Sequence, residues 1–260
     1  MAGPMVQGGV IVKSPQEVAL MRKAGRILAE ILVVLRDHAL PGVTTGDLNK
    51  IAHDEMKKRG VVPSFLGYHG YPGVLCTSVN EEIVHGIPGK KVLKEGDIIG
   101  LDCGVIYEGW QADSAITVGV GAVSAEATKL MDVTRASMEA GIAAARGGAR
   151  LSDIGHAVQV VAEAAGFGVV REYVGHGIGQ KLHDEPQVPN FGQPGRGMVL
   201  KPGLCLAIEP MVNAGGWQTK VGGDNWTVYT ADKSLSAHFE HTIVITEGAP
   251  EILTVTEAAA

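Results

Sequence analysis

Two ten-residue stretches of this chain repeat one pattern. Leu93-Lys94-Glu95-Gly96 leads into Asp97-Ile98-Ile99-Gly100-Leu101-Asp102, and Leu200-Lys201-Pro202-Gly203 leads into Leu204-Cys205-Leu206-Ala207-Ile208-Glu209. Each is a Leu-Lys-x-Gly turn followed by an apolar strand with a carboxylate six residues after the glycine, and the two carboxylates stand 107 residues apart. A carboxylate in an apolar strand is costly unless something neutralises it. Each copy is followed by another acid that opens a β-type run, Asp113-Ser114-Ala115-Ile116-Thr117-Val118 and Glu240-His241-Thr242-Ile243-Val244-Ile245. Four carboxylates from two related segments are what a two-metal site needs.

The repetition extends upstream. Gly42, Asp47, Leu48 and Gly60 fall 106 residues before Gly148, Asp153, Ile154 and Gly166. In both copies the acid–aliphatic pair sits early in a helical pattern and the last glycine fits a C-terminal cap. The pattern predicts an α+β fold of two halves, about 14–120 and 121–250, each helix-helix-strand-strand. Two units do not make a solenoid. The halves are expected to share one domain over 14–256 with a pseudo-twofold axis where the paired acids meet, and residues 1–13 to be a loose leader. Ser14-Pro15-Gln16-Glu17 opens the first helix with a capping residue, Pro at the first position and a Glu reaching back. Helices are predicted to about His38, over 45–59, over 124–145 and over 152–165, with β-rich segments at 61–120 and 168–256.

With 260 residues, 45% of them hydrophobic, the chain can bury one large core or two small ones. A net charge of −6 gives no encouragement to nucleic-acid binding. Cys76, Cys103 and Cys205 are dispersed and odd in number, so neither a disulfide frame nor a zinc-thiolate site is expected, and reduced thiols fit a cytoplasmic protein. No export signal is read at the N-terminus, and no apolar run approaches the ~20 residues that span a bilayer.

Asp102 and Asp113 flank Val105-Ile106-Tyr107-Glu108-Gly109. If that segment is a hairpin turn, the acids lie opposite or one diagonal apart on one face, and their repulsion calls for a cation or a shared proton. The bland reading is a solvated hairpin face, which the neighbouring Leu101 and Ile116 disfavour. Gly175-His176-Gly177-Ile178-Gly179 sets a histidine among glycines that let backbones approach closely. A lone histidine in a strand is more often a core residue than a ligand, but beside four unexplained acids His176 is the natural nitrogen donor. His85, in Val84-His85-Gly86-Ile87-Pro88, and His183 are loop histidines that could hold a substrate carbonyl or a developing oxyanion. Tyr68, Tyr71 and Trp226, in a chain poor in aromatics, could wall a small apolar pocket.

Taken together, Gly67-Tyr68-His69-Gly70-Tyr71-Pro72, Val84-His85-Gly86-Ile87-Pro88, Asp102 with Asp113, Gly175-His176-Gly177-Ile178-Gly179, Ile208-Glu209-Pro210-Met211 and Phe239-Glu240-His241-Thr242 resemble the methionine aminopeptidases, bacterial short form of type 1. The likeness runs from about residue 12 to 255. It implies the pita-bread fold and removal of N-terminal methionine from nascent proteins and peptides with a small second residue. It matches Asp113 and Glu240 to carboxylates bridging two divalent ions (Co, Mn, Fe or Zn), Asp102 to the bidentate ligand of one ion, and His176 and Glu209 to ligands of the other. Glu209 also matches the proton carrier, His85 and His183 the non-ligand histidines at the scissile bond, and Phe65, Tyr68, Tyr71, Cys76, Leu182 and Trp226 the methionine pocket. Phe65 and Leu182 depart from members that more commonly carry cysteine and phenylalanine there.

The implied mechanism is attack of a metal-bridging water on the first peptide carbonyl, with the free α-amine bound to a metal. Residues 1–13 leave no room for the extensions of longer type 1 enzymes, and the 31 residues from Glu209 to Glu240 leave none for the type 2 insertion. The expected partners are nascent polypeptide N-termini, with ribosome association left open; no nucleic acid, membrane or second subunit is expected. The rival readings are a proline-specific peptidase of the same fold and a non-catalytic binding module. The former resemble longer chains with Gly after the Glu-Pro, where this chain has Met211, and the latter usually lack the metal ligands.

Overall fold

The computed structural model of the protein describes residues 5–7 and 10–256. Its first half runs β1 (Met5–Gln7), β2 (Val10–Val12), α1 (Pro15–His38), α2 (Thr45–Arg59), β3 (Val62–Pro63), a 3-10 turn at Tyr68–Gly70, β4 (Leu75–Val79), β5 (Glu82–Val84), β6 (Ile98–Tyr107) and β7 (Trp110–Gly119). The second runs α3 (Ala125–Ala144), α4 (Leu151–Ala164), β8 (Gly168–Val169), β9 (Gly175–Gly177), β10 (Asp184–Val188), β11 (Cys205–Ile208), β12 (Met211–Asn213), β13 (Thr219–Val221), β14 (Val228–Thr230), β15 (Ser236–His238), β16 (Glu240–Val244) and β17 (Glu251–Ile252).

The helix ends follow from their caps. The Ser14 side chain accepts from Glu17 N–H while Glu17 reaches back to Ser14 N–H. The repeated acids Asp47 and Asp153 do the same work in each half: Thr44 N–H donates to Asp47 at 3.0 Å and Arg150 N–H to Asp153 at 2.8 Å. Gly60 caps α2 in the left-handed region, and Gly166, also left-handed, lies just past α4.

A nine-stranded sheet carries the molecule, in the order β10-β9-β11-β16-β7-β6-β3, with β4 also on β6 and β17 also on β16. Alternation along its strands divides two environments. Ile99, Leu101, Cys103 and Val105 of β6 pack with Leu28, Ile31 and Leu35 of α1 and Leu48 and Met56 of α2. Leu206 and Ile208 of β11 and Ile243 of β16 pack with Met138, Ile142 and Ile154 of α3 and α4. Leu48 and Ile154, the paired aliphatics of the repeat, are both fully buried. The sheet order β11-β16-β7-β6 is palindromic in the two halves, so the pseudo-twofold axis passes between β16 and β7.

Of the leader expected over 1–13, residues 1–4 and 8–9 lie outside the described residues. Residues 10–13 are not loose. The β-branched run Val10-Ile11-Val12 pairs antiparallel with β1, Lys13 N–H donates to the Gly203 carbonyl at 2.8 Å, and Val10 joins the second-half core. Among the described residues no helix is long and apolar enough to cross a membrane.

Candidate metal centre

On the face turned from the helices, five adjacent strands present five side chains in a row: His176 from β9, Glu209 just past β11, Glu240 from β16, Asp113 from β7 and Asp102 from β6. Register sets them on one side. Asp102 faces Ala115 across β6–β7, and Ala115 faces Glu240 across β7–β16. Asp113 lies two residues before Ala115 and opposite Gly104, so it stands one diagonal from Asp102. The hairpin behind this is a two-residue turn at Glu108-Gly109, both at positive φ. Ile208 faces His241, which brings Glu209 beside Glu240, and His176 faces Ala207, two residues before Glu209. Ala115 and Ala207 interleave the acids and the imidazole with methyl groups, leaving room between the charged heads.

The glycines around His176 serve the close approach that the sequence implies. A Cβ on Gly177 would lie 2.1 Å from the Glu185 carbonyl oxygen, and one on Gly175 2.3 Å from that of Ala207. His176 Nδ1 is 2.9 Å from the Gly177 carbonyl and so carries the proton, leaving Nε2 free to ligate. That Nε2 is 3.4 Å from Glu209 Oε1 and 4.0 Å from Asp113 Oδ2. The ligand atoms of Asp113, His176 and Glu240 lie within 4.8 Å of one another, as do those of Glu209, His238 and Glu240.

The electrostatics ask for a cation. Burial pushes the Asp102 carboxyl up to about 7. Burial first, then neighbouring carboxylates, pushes Asp113, Glu209 and Glu240 well above the usual range. Asp102 Oδ1, Asp113 Oδ1, Glu209 Oε1 and Glu240 Oε1 are buried without a hydrogen-bond partner. Burial, and then His183, hold His176 down to about 3, so it is neutral at pH 7 as a ligand must be. Unpaired carboxylate oxygens with one neutral imidazole are a donor set that fits divalent cations.

A cavity of about 440 Å³ opens onto the row. It collects all thirteen sequence-predicted residues, with His69 in addition. Phe65, Tyr68, Tyr71, Cys76, Leu182 and Trp226 pack as one apolar wall, with the Tyr71 and Trp226 rings edge-on at 5.1 Å. The Tyr71 hydroxyl donates to the Gly86 carbonyl at 2.9 Å. His85 is held left-handed, at φ 61°, with its ring against Tyr173 and Trp226. The His183 ring lies 4.3 Å from that of His176, and its Nδ1 is 2.7 Å from the Tyr68 hydroxyl. Burial and His183 lower His85 to about 4; burial and then His69 lower His183.

His69, Tyr173 and His238 belong to this neighbourhood without having been singled out from the sequence. His238 was within reach, because it stands two residues before Glu240, with the chain passing from β15 to β16 at Phe239 between them. Tyr173 is brought to His85 by tertiary packing alone.

Residues 19–247 match the model of metallopeptidase family M24. The chain is 51% identical to a methionine aminopeptidase of Clostridium acetobutylicum over 95% of this chain and 100% of that one. It is 53% identical to methionine aminopeptidase 1 of Bacillus subtilis over 94% and 99%. The crystal structure of methionine aminopeptidase from Rickettsia prowazekii superposes with a TM-score of 0.93 at 43% identity, covering 95% of this chain and 100% of that one. A prolidase of Pyrococcus horikoshii, at 20% identity and a TM-score of 0.75, shares the fold alone. The fold and the carboxylate–histidine row define a pita-bread metallopeptidase, and the chain belongs to family M24, within it to the methionine aminopeptidases. It is an aminopeptidase that removes N-terminal methionine.

Proposed function

We propose that Asp102, Asp113, His176, Glu209 and Glu240 hold two divalent ions, and that the protein cleaves methionine from nascent chains whose second residue is small. The observation that carries this is the row itself: four carboxylates, each with a buried and unpartnered oxygen, and one neutral imidazole on adjacent strands. Two ions are favoured over one because the compact donor triad of Asp113, His176 and Glu240 leaves Asp102, at the other end of the row, for a second ion. When bound, such ions supply Lewis acidity and make a nucleophile of water near neutral pH.

The chain's own residues do the rest. Glu209, at the edge of the cavity with a raised carboxyl, accepts a proton from the attacking water and returns it to the leaving amine. His183, oriented by the Tyr68 hydroxyl, donates to the substrate carbonyl as it becomes an oxyanion. His85 binds beside the scissile amide. The wall of Phe65, Tyr68, Tyr71, Cys76, Leu182 and Trp226 takes the unbranched thioether side chain and keeps water from it. Phe65 narrows this cleft where a smaller residue would widen it. The second residue passes between the histidines and the row, where a large side chain meets His85 and His183. Three free cysteines, all buried, fit the cytoplasmic location that nascent substrates require.

The test is hydrolysis of Met-Ala-Ser against Met-Leu-Ser and Ala-Pro-Ala, with and without chelator and with metal counted per chain. Met-Ala-Ser alone should be cleaved quickly, only with metal, at two equivalents per chain. Equal cleavage of Met-Leu-Ser sinks the second-residue claim, and full activity at one equivalent sinks the two-ion claim.

A further inference from the structure

His238 is a buried polar side chain at the centre that the reading above leaves without a task. It is 3% exposed, and its Nε2 has no hydrogen-bond partner. Its backbone is fixed to β7, the strand of Asp113: His238 N–H donates to Thr117 Oγ1 at 2.9 Å, and the Thr117 hydroxyl donates to the His238 carbonyl at 2.8 Å. The ring is thus anchored while its Nε2 points at acceptors.

That Nε2 lies 3.9 Å from Glu209 Oε2, and the other oxygen of the same carboxylate lies 3.4 Å from His176 Nε2. Glu209 therefore sits between two imidazoles, one toward each oxygen. His176 spends its Nδ1 proton on the Gly177 carbonyl, so its Nε2 offers Glu209 a lone pair and no hydrogen. The Asn190 amide donates to the Glu209 carbonyl at 3.2 Å, not to its carboxylate. A side cavity of about 110 Å³ adjoins the pair, lined among others by His238, Glu209, Asp102, His85 and Tyr173. At ~30 Å³ each it has room for a few waters, and its polar walls give them partners. A polar contact of this length is often closed by one such water.

We propose that His238 is a positioning residue for Glu209: its Nε2–H donates to Oε2, directly after a small side-chain rotation or through one water of the side cavity, and so keeps Oε1 turned to the metal row. The inference rests on the proposed role of Glu209 as proton carrier. Carboxylates that carry protons need a fixed rotamer, and an outer donor of this kind supplies it. The competing task for His238 is direct ligation, since its Nε2 also stands within ligand-atom reach of Glu240. The two differ in the proton: a donor carries hydrogen on Nε2, a ligand does not.

The parental chain, His238→Leu and His238→Gln are compared by kcat and KM on Met-Ala-Ser, by metal equivalents per chain, and by melting temperature. Imidazole ¹⁵N spectra of the parental chain, chelated and metal-loaded, report the tautomer. His238→Leu should lose ~10- to 100-fold in kcat with KM and metal content unchanged. His238→Gln, whose amide N–H reaches toward the same oxygen, should recover most of that loss. The ¹⁵N spectra should show Nε2 protonated in both states. Parental kcat in the Leu variant, loss of a metal equivalent, a Gln variant as slow as the Leu variant, or a bare Nε2 each overturns the proposal. The tautomer is read without turnover, so a parental chain that failed to cleave Met-Ala-Ser would count against the proposed function and leave the hydrogen-bond geometry separately decided.

Discussion

Asp113 and Glu240 sit on two inner strands of the row, β7 and β16, between its two ends. Outer-shell partners of metal ligands already cost ~10- to 100-fold when removed, so a shared ligand should cost more. Asp113→Asn and Glu240→Gln are each expected to lower kcat by at least ~100-fold at saturating metal, with metal content falling in parallel; near-parental turnover in either contradicts the bridging that the resemblance implies. Trp226→Ala should relax the first-residue preference and leave metal content alone, as read by competition among peptides in a mass spectrometer. The raised carboxyls give the pH dependence a definite sign. A carboxyl raised by folding contributes stability below its unfolded pKa, and that contribution is lost as pH rises through the folded value. The buried histidines have lowered values and act in the opposite sense, but with unfolded values near 6.5 their contribution fades above about 7. Between about pH 7 and 8 the carboxyls therefore dominate, with Asp102 at about 7. The chelated protein should melt at lower temperature as pH rises across that window, and the gap to the metal-loaded protein should widen. A gap that narrows would mean that the row is not the proton-linked site.

Strand β9 is three residues long, Gly-His-Gly, and its neighbours come too close for a side chain at either glycine. Gly177→Ala puts a methyl against the Glu185 carbonyl carbon and oxygen, which are backbone and cannot step aside. The cost is ~3 kcal/mol, or roughly 5–10 °C in Tm, and His176 would shift with it, so calorimetry and metal content should fall together. An unchanged Tm would show that the sheet yields there. Helices were legible to within a residue because their signals are local: the Ser14–Glu17 box, the Asp47 and Asp153 reach-back contacts, and left-handed glycines past the ends. The β6–β7 hairpin was legible in outline because two β-type runs, each carrying an acid, flank Val105–Gly109; the structure narrows the turn to Glu108-Gly109 between two ten-residue strands. The pairing of β9, and of short strands such as β8, β12 and β15, was not. A two- or three-residue strand has no period to read, and its partner is chosen by packing far along the chain. The same holds for the leader, read as loose because nothing local in Val10-Ile11-Val12 names β1 as its partner or Gly203 as the anchor of Lys13.

At the scale of the whole molecule the acids were legible because they were duplicated. Asp102 pairs with Glu209 and Asp113 with Glu240 in sequence, and the sheet lays them out in mirror order about the axis between β7 and β16. The imidazole breaks that order. His176 stands opposite Ala207 on the strand of Glu209; the matching place in the other half, opposite Gly100 on the strand of Asp102, is Ser78. Ser78 spends its hydroxyl on accepting from Gly86 N–H at 3.3 Å and adds nothing to the row. Two identical half-length chains docked about the same axis would present all four acids, but they would have to carry two imidazoles here or none. A centre whose two ends differ, with nitrogen at one and only oxygen at the other, is open to a single polypeptide because only there can one copy of a repeated position be spelled differently from its twin.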